Sequence, residues 1–290
     1  MGDNQNLLAE QRRALILDEV RRRGGVRVNE LTRRLNVSDM TVRRDLDALS
    51  RQGVVAKVHG GAVPVAEAST HEPGFEAKSA LELTAKQDIA RAAAALVVPG
   101  SAIALSGGTT TYALAHLLLD VPDLTVVTNS LRVADVFHTA GRPEPDGPAR
   151  PGAAMVVLTG GVRTPSDSLV GPVADQAIRS LHFDLLFIGV HGISAEAGLS
   201  TPNLGEAETN RRLVESARRV VVVADHTKWG TVALSSFAAL DQVDVLVTDA
   251  GLPAEARAEI AGLLPELVVA GAESAEGGRG GAELRDADES

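Results

Sequence analysis

From Ala102 onward, short apolar runs alternate with stretches of helical character, and this alternation does most to limit what the chain can fold into. Seven runs have strand length and are rich in Val, Leu and Ile: residues 102–105, 124–127, 155–158, 185–188, 220–223, 245–247 and 267–269. Helical segments are expected between them at 110–119, 131–138, 173–181, 206–217 and 254–262. Another, at 83–96, precedes the first run and is stopped by Pro99-Gly100. Strands without polar alternation, joined by helices, predict a mostly parallel α/β sheet covered on both faces.

The first 62 residues follow a different pattern. Residues 8–23 read as a helix with Leu15, Ile16 and Val20 on its apolar stripe, ended by Gly24-Gly25. Val26-Arg27-Val28 is too short to be more than an extended link. Asn29 is expected to cap a second helix over 29–35, with Leu31 and Leu35 inward, and Asn36-Val37 makes a turn. A third helix starts at Ser38, an N-cap residue, with Asp39 at the positive end of the helix dipole. At about 100° per residue, Val42, Leu46 and Leu49 share the buried stripe. Met40, Thr41 and Arg44 then face away, with Arg43 on the flank.

Helix, helix, tight turn, helix is the order of a helix-turn-helix, whose last helix enters the major groove. Guanidinium groups there can bond guanine O6 and N7, and apolar groups can meet a thymine methyl. Beyond it, residues 53–61 read as a two-stranded wing whose Lys57 and His59 can reach backbone phosphate. The candidate DNA-contacting set is Ser38, Met40, Thr41, Arg43, Arg44, Lys57 and His59. Charge agrees with this. Residues 1–62 hold 12 basic against 8 acidic side chains, whereas the remainder holds 16 against 30. Phosphates are attracted locally and repelled elsewhere.

With 290 residues, about two domains are expected. We divide the chain into a winged helix-turn-helix at 1–62, a linker at 63–80 anchored by Phe75, an α/β domain at 81–271 and a disordered tail at 272–290. Residues 142–152, rich in proline, read as a surface insertion. There is no cysteine, so disulfides, thiol nucleophiles and cysteine zinc sites are excluded. The seven histidines show no paired ligand spacing, and neither a metal nor a cofactor is implied. Without an apolar run of membrane-spanning length or a signal-peptide pattern, a cytoplasmic protein with no membrane partner is expected.

In open α/β sheets, ligands sit beyond the carboxyl ends of the strands. The first such loop is Ser106-Gly107-Gly108-Thr109-Thr110-Thr111, whose amides and hydroxyls at a helix N-terminus suit an anion. The same residues would also serve as a tight turn with a threonine cap. Asn129 and Ser130 follow the second strand and Arg163 the third. Arg163 either clamps an anion or is simply solvated. His191 follows the fourth strand, and Asp225 and Lys228 the fifth. Lys228 can offer a point charge to phosphate, and Asp225 can bind ligand or only orient its loop. Glu206 opens a helix, where a carboxylate also favours the dipole.

Several of these motifs together resemble one family. Val28-Asn-Glu-Leu31, Val37-Ser38, Thr41-Val-Arg-Arg-Asp-Leu46 and His59-Gly-Gly-Ala62 look like the N-terminal winged helix of the DeoR/GlpR regulators. Ser106–Thr111, Val127-Thr-Asn-Ser130, Gly160-Gly161, Phe187-Ile-Gly-Val-His-Gly-Ile-Ser194 and residues 224–230 look like the sensor domain of the same family, which resembles ribose-5-phosphate isomerase. The resemblance spans residues 7–270. It implies a transcriptional repressor that binds operator DNA as a homo-oligomer (dimer or tetramer) and answers to a phosphorylated sugar or related metabolite. At Val190-His191-Gly192 the chain departs from the Ala-Asp-Gly of many members, losing an acid that could move protons. That departure weighs against a second reading, a sugar-phosphate isomerase with an accessory N-terminal domain. A third reading, an architectural DNA-binding module, would show no ligand response.

Overall fold

The computed structural model describes residues 9–23, 26–58, 60–64, 72, 74–141 and 154–271. The N-terminal module runs α1 (Ala9–Arg23), β1 (Val26–Arg27), α2 (Val28–Leu35), α3 (Asp39–Arg51), β2 (Val55–Val58) and β3 (Gly61–Pro64). α3 begins as its sequence dictates: Ser38 is the N-cap, and its side chain accepts a hydrogen bond from the Thr41 amide. Val42, Leu46 and Leu49 are buried, together with Leu31 and Leu35 of α2 and Ile16 and Val20 of α1. Two buried carboxylates tie the helices together. Asp45 of α3 accepts from Arg12 of α1 at 2.5 Å, and Glu19 of α1 accepts from Arg34 of α2 at 2.5 Å.

Four details of the sequence reading change here. Leu15 is 44% exposed, and Leu17 takes its place in the core. A stripe read from three apolar positions leaves its register open by one residue. Asn29 lies inside α2 rather than capping it, because the helix starts at Val28 with Arg27 as the N-cap residue. Val26–Arg27 is a strand, not a link, pairing antiparallel with β3 in the order β1-β3-β2. β3 can accept this second partner because Gly61 has no side chain: a Cβ there would stand 2.0 Å from the Val26 carbonyl oxygen. Lastly, the second wing strand runs to Pro64. The turn between α2 and α3 is closed by Asn36 in the left-handed conformation (φ 52°), which asparagine tolerates better than most residues.

The larger unit continues with α4 (Phe75–Ser79), α5 (Leu83–Ala94), β4 (Ala102–Leu105), α6 (Thr109–Leu117), β5 (Thr125–Thr128), α7 (Leu131–Gly141) and β6 (Met155–Leu158). A hairpin of β7 (Val162–Arg163) and β8 (Leu169–Val170) leads into α8 (Pro172–Arg179) and β9 (Leu185–Ile188). Next come β10 (Gly192–Ser194), β11 (Gly198–Thr201), α9 (Leu204–Glu215), β12 (Val220–Val223) and β13 (Ser235–Ala238). The unit closes with β14 (Val245–Asp249), α10 (Ala254–Leu263) and β15 (Glu266–Ala270).

All seven expected strands join one parallel sheet in the order β15-β14-β12-β9-β4-β5-β6. Successive residues serve opposite faces, as the pleat requires. Val221 and Val223 pack with Ile89 and Ala93 of α5 and with Leu114 of α6, whereas Val222 packs with Leu213 of α9 and Ile260 of α10. β10, β11 and β13 form a separate antiparallel sheet. The strand order turns at β4, from which β5 and β6 lie on one side and β9, β12, β14 and β15 on the other. Such a switch point opens a crevice between the outgoing loops. The expected insertion at 142–152 and the tail at 272–290 lie outside the described residues.

Candidate functional site

The crevice at the β4/β9 switch point is lined by the loops after β4, β9 and β12, by α9, by the β7–β8 hairpin and by the segment from α4 into α5. Of the residues expected from sequence, Gly107, Gly108, Thr109, Thr110, His191, Glu206, Asp225 and Lys228 line it. The first-turn amides of α6 have no intrahelical acceptors and suit an anion there. Asp225 is buried, and its carboxylate accepts from the Thr227 amide at 3.1 Å and from the Thr227 hydroxyl. Burial alone would push its pKa up. The Lys228 charge, the Thr227 hydrogen bonds and Lys86 outweigh burial and hold it below the usual carboxylate range. The turn carrying both residues is fixed from behind, where Asp249 accepts from the His226 amide at 2.7 Å and meets His226 Nδ1 at 2.9 Å. Glu206, third residue of α9, accepts from the hydroxyls of Thr164 at 2.9 Å and Thr201 at 3.2 Å, and from Ser166.

The other five expected residues do not line the crevice. Ser106 is buried and its Oγ accepts from the Gly189 amide at 3.1 Å, joining the loops after β4 and β9. Thr111 donates back to the carbonyls of Ser106 and Gly108. Asn129 accepts from the Gly107 amide at 3.0 Å and donates to the Leu169 carbonyl at 3.1 Å, so it occupies a loop amide that an anion would otherwise take. Ser130 accepts from the Val133 amide. Arg163 is held at 2.5 Å by Asp167, a carboxylate it shares with Arg132. These residues shape the site's walls.

Gly107 shows how tightly the walls meet, since a Cβ there would lie 1.9 Å from Ser168 Oγ. Gly107→Ala is expected to cost about 1–3 kcal/mol by overpacking. Urea denaturation measures it, and wild-type stability would contradict the close approach.

The lining also holds residues that the sequence reading missed: Phe75, Lys78, Leu81, Glu82, Lys86, Ser166, Ser168, Thr201 and Asn210. Phe75 is anchored edge-on to Tyr112 at 5.5 Å, with the Arg132 guanidinium 4.9 Å over its ring. Lys86 is the most informative. It shares the apolar stripe of α5 with Ile89, Ala90 and Ala93, and a lysine at a core position of a helix is the signal that could have exposed it. Its ammonium is buried and donates to the carbonyls of Lys78 at 2.6 Å and Leu81 at 2.5 Å.

Desolvation brings the Lys86 pKa down from 10.5 to about 8, partly opposed by Asp225 and Glu82. Unfolding therefore takes up a proton between these two values, and the native state gains stability as pH rises through that window. Against Lys86→Met, the pH-dependent gain should be on the order of 3 kcal/mol by denaturant titration. Parallel profiles for the two proteins would contradict it.

On the N-terminal module, Met40 (68% exposed) and Arg44 stand out from α3, and Arg44 makes no ion pair or hydrogen bond among the described residues. Arg43 pairs with Asp39 at 2.5 Å on the same exposed face. Thr41 is half-buried and bonded to Ser38 Oγ at 2.8 Å, and Lys57 of β2 pairs with Asp47. His59 lies outside the described residues.

Comparisons with known proteins agree with this two-part organisation. A model of the DeoR-like helix-turn-helix domain matches residues 12–67, and one of the DeoR C terminal sensor domain matches residues 81–250. The chain is 39% identical over 251 residues to the uncharacterized HTH-type transcriptional regulator YgbI of Escherichia coli (strain K12), covering 86% of this chain and 93% of that protein. It is 35% identical to the HTH-type transcriptional regulator GlpR of Haloferax volcanii, covering 88% and 95% of the two chains. The glycerol-3-phosphate regulon repressor of E. coli K12 is 31% identical, with 84% and 92% covered. Among solved structures, ribose 5-phosphate isomerase A of Methanocaldococcus jannaschii matches with a TM-score of 0.35 and 15% identity, covering 50% and 53%, too distant to bear on activity. A three-helix module with two short wing strands, a crevice at the sheet's switch point and family matches to both parts lead to one conclusion: this chain belongs to the DeoR family of DNA-binding transcriptional regulators.

Proposed function

We propose that the protein is a cytoplasmic repressor that binds operator DNA as a symmetric homo-oligomer through α3 and the wing. A phosphorylated sugar or related metabolite entering the crevice controls that binding. The observation that carries the reading is the placement of cations in the crevice: Lys78, Lys86 and Lys228 line it together with the N-terminus of α6, alongside the carboxylates Glu82, Glu206 and Asp225. A phosphoryl group suits that end. Glu206, Thr201 and Asn210 offer acceptors and donors to hydroxyl groups. The effector must bind the DNA-competent and DNA-incompetent states with different affinity, since equal affinity shifts nothing.

Turnover is not part of this reading. Asp225, held below the usual carboxylate range, is a weak base near neutral pH, and Glu206 is engaged by three hydroxyls of its own chain. Calorimetry with sugar phosphates and the matching free sugars tests the proposal. Binding that requires the phosphoryl group supports it. Equal binding of the free sugars, or isomerisation of an aldose phosphate, would overturn it.

A further inference from the structure

Lys86 lines the effector crevice and bonds the backbone of the segment between α4 and α5. Its ammonium has three N–H groups, and two of them are given to the carbonyls of Lys78 and Leu81. The third has no protein partner among the described residues, while the side chain lines the crevice and is 6% exposed. A buried ammonium with a donor to spare gains most from an acceptor that carries charge.

The two carbonyls close the turn between α4 and α5, where Glu82 takes a left-handed backbone conformation (φ 49°). Leu81, at the centre of that turn, lines the crevice and also packs against the apolar core of the winged helix. One side chain thus holds the segment that touches both the ligand site and the DNA-binding module.

We propose that Lys86 is both an anion-binding residue of the effector site and the residue that couples this site to the winged helix. An anionic phosphoryl group in the crevice takes the spare donor and draws the ammonium toward itself. The grip on the Lys78 and Leu81 carbonyls changes, the 78–82 turn shifts, and Leu81 carries the shift into the winged-helix core. The inference rests on the effector-site reading given above. The charged groups facing Lys86 are Asp225, Lys228, Glu82 and Lys78. An anion binds the protonated ammonium, so affinity falls as pH rises through the Lys86 pKa of about 8.

The test uses the full chain with inorganic phosphate and glycerol 3-phosphate as probes. Affinity is measured by calorimetry across that pH range, and hydrogen exchange is followed in peptides covering 75–90 and 38–58. In the wild type, at least one probe should bind, alter exchange in both regions and bind more weakly at high pH. Lys86→Met should weaken binding roughly tenfold to a hundredfold and remove both exchange effects. Should that variant not fold, Lys86→Arg decides the matter. Its charge does not titrate in this range, so its affinity should show a flatter pH dependence than wild type. Leu81→Ala, compared with wild type at probe concentrations that saturate each protein, should keep the exchange effect at 75–90 and lose the one at 38–58. A wild-type response that Lys86→Met retains in full, or a Lys86→Arg profile that parallels wild type, overturns this proposal alone. A wild type that answers to neither probe overturns the effector-site reading and this proposal with it.

Discussion

Lys228→Ala is expected to abolish the response of the protein–DNA complex to its effector and to leave operator affinity unchanged. The side chain lines the crevice and is a principal cation lowering the pKa of buried Asp225. Its removal leaves that carboxylate facing any incoming phosphoryl group with less compensation, so the ligand loses an attraction and gains a repulsion. Loss of one charge-assisted contact alone is worth about 1.5–3 kcal/mol, or roughly tenfold to a hundredfold in affinity. The turn itself should survive, because His226 and Asp249 hold it from behind. Titrating effector into a preformed complex decides the point. A full response in the variant would move the phosphate site elsewhere.

Arg44→Ala should cost about 1–3 kcal/mol of operator binding and relax the preference at one base pair. Arg43 is engaged with Asp39, and Lys57 with Asp47, whereas the exposed Arg44 makes no ion pair or hydrogen bond among the described residues. Binding to a set of single-base operator variants separates two roles. Loss concentrated at one position marks a base contact, and uniform weakening with a shallower salt dependence would reduce Arg44 to a phosphate contact.

What could be read from sequence divides along physical lines. The inner strands of the parallel sheet were legible because burial on both faces requires apolar residues throughout, as in Val220–Val223 and Leu185–Ile188, and the edge strand Met155–Leu158 was legible from its apolar run although Met155 and Leu158 are exposed. α3 was legible to the residue at its start, since an N-cap serine and a stripe of Val42, Leu46 and Leu49 are local properties. β1, β7, β8, β10, β11 and β13 were not. They are two to four residues long, several are rich in glycine and serine, and long-range pairing makes them strands. The site divides in the same way. Loops following strands could be assigned to the crevice from topology alone, as with Gly108 and Lys228. Which side chains turn into it could not, because Asn129 is held elsewhere by Gly107 and Leu169, distant in sequence, and Arg163 by Asp167, a carboxylate it shares with Arg132 from another element. Lys86 was hidden by its place on an otherwise apolar helix face.

The most direct test of the account is fluorescence anisotropy of the full chain on the DNA upstream of its own gene, against scrambled DNA and over a salt series, with phosphorylated metabolites then titrated into the complex. Tight, salt-dependent and sequence-selective binding is the expected result, with a change in affinity when a phosphorylated metabolite is added and none with its free sugar. Equal binding to both DNAs at every salt concentration, unmoved by any phosphorylated metabolite, would contradict it.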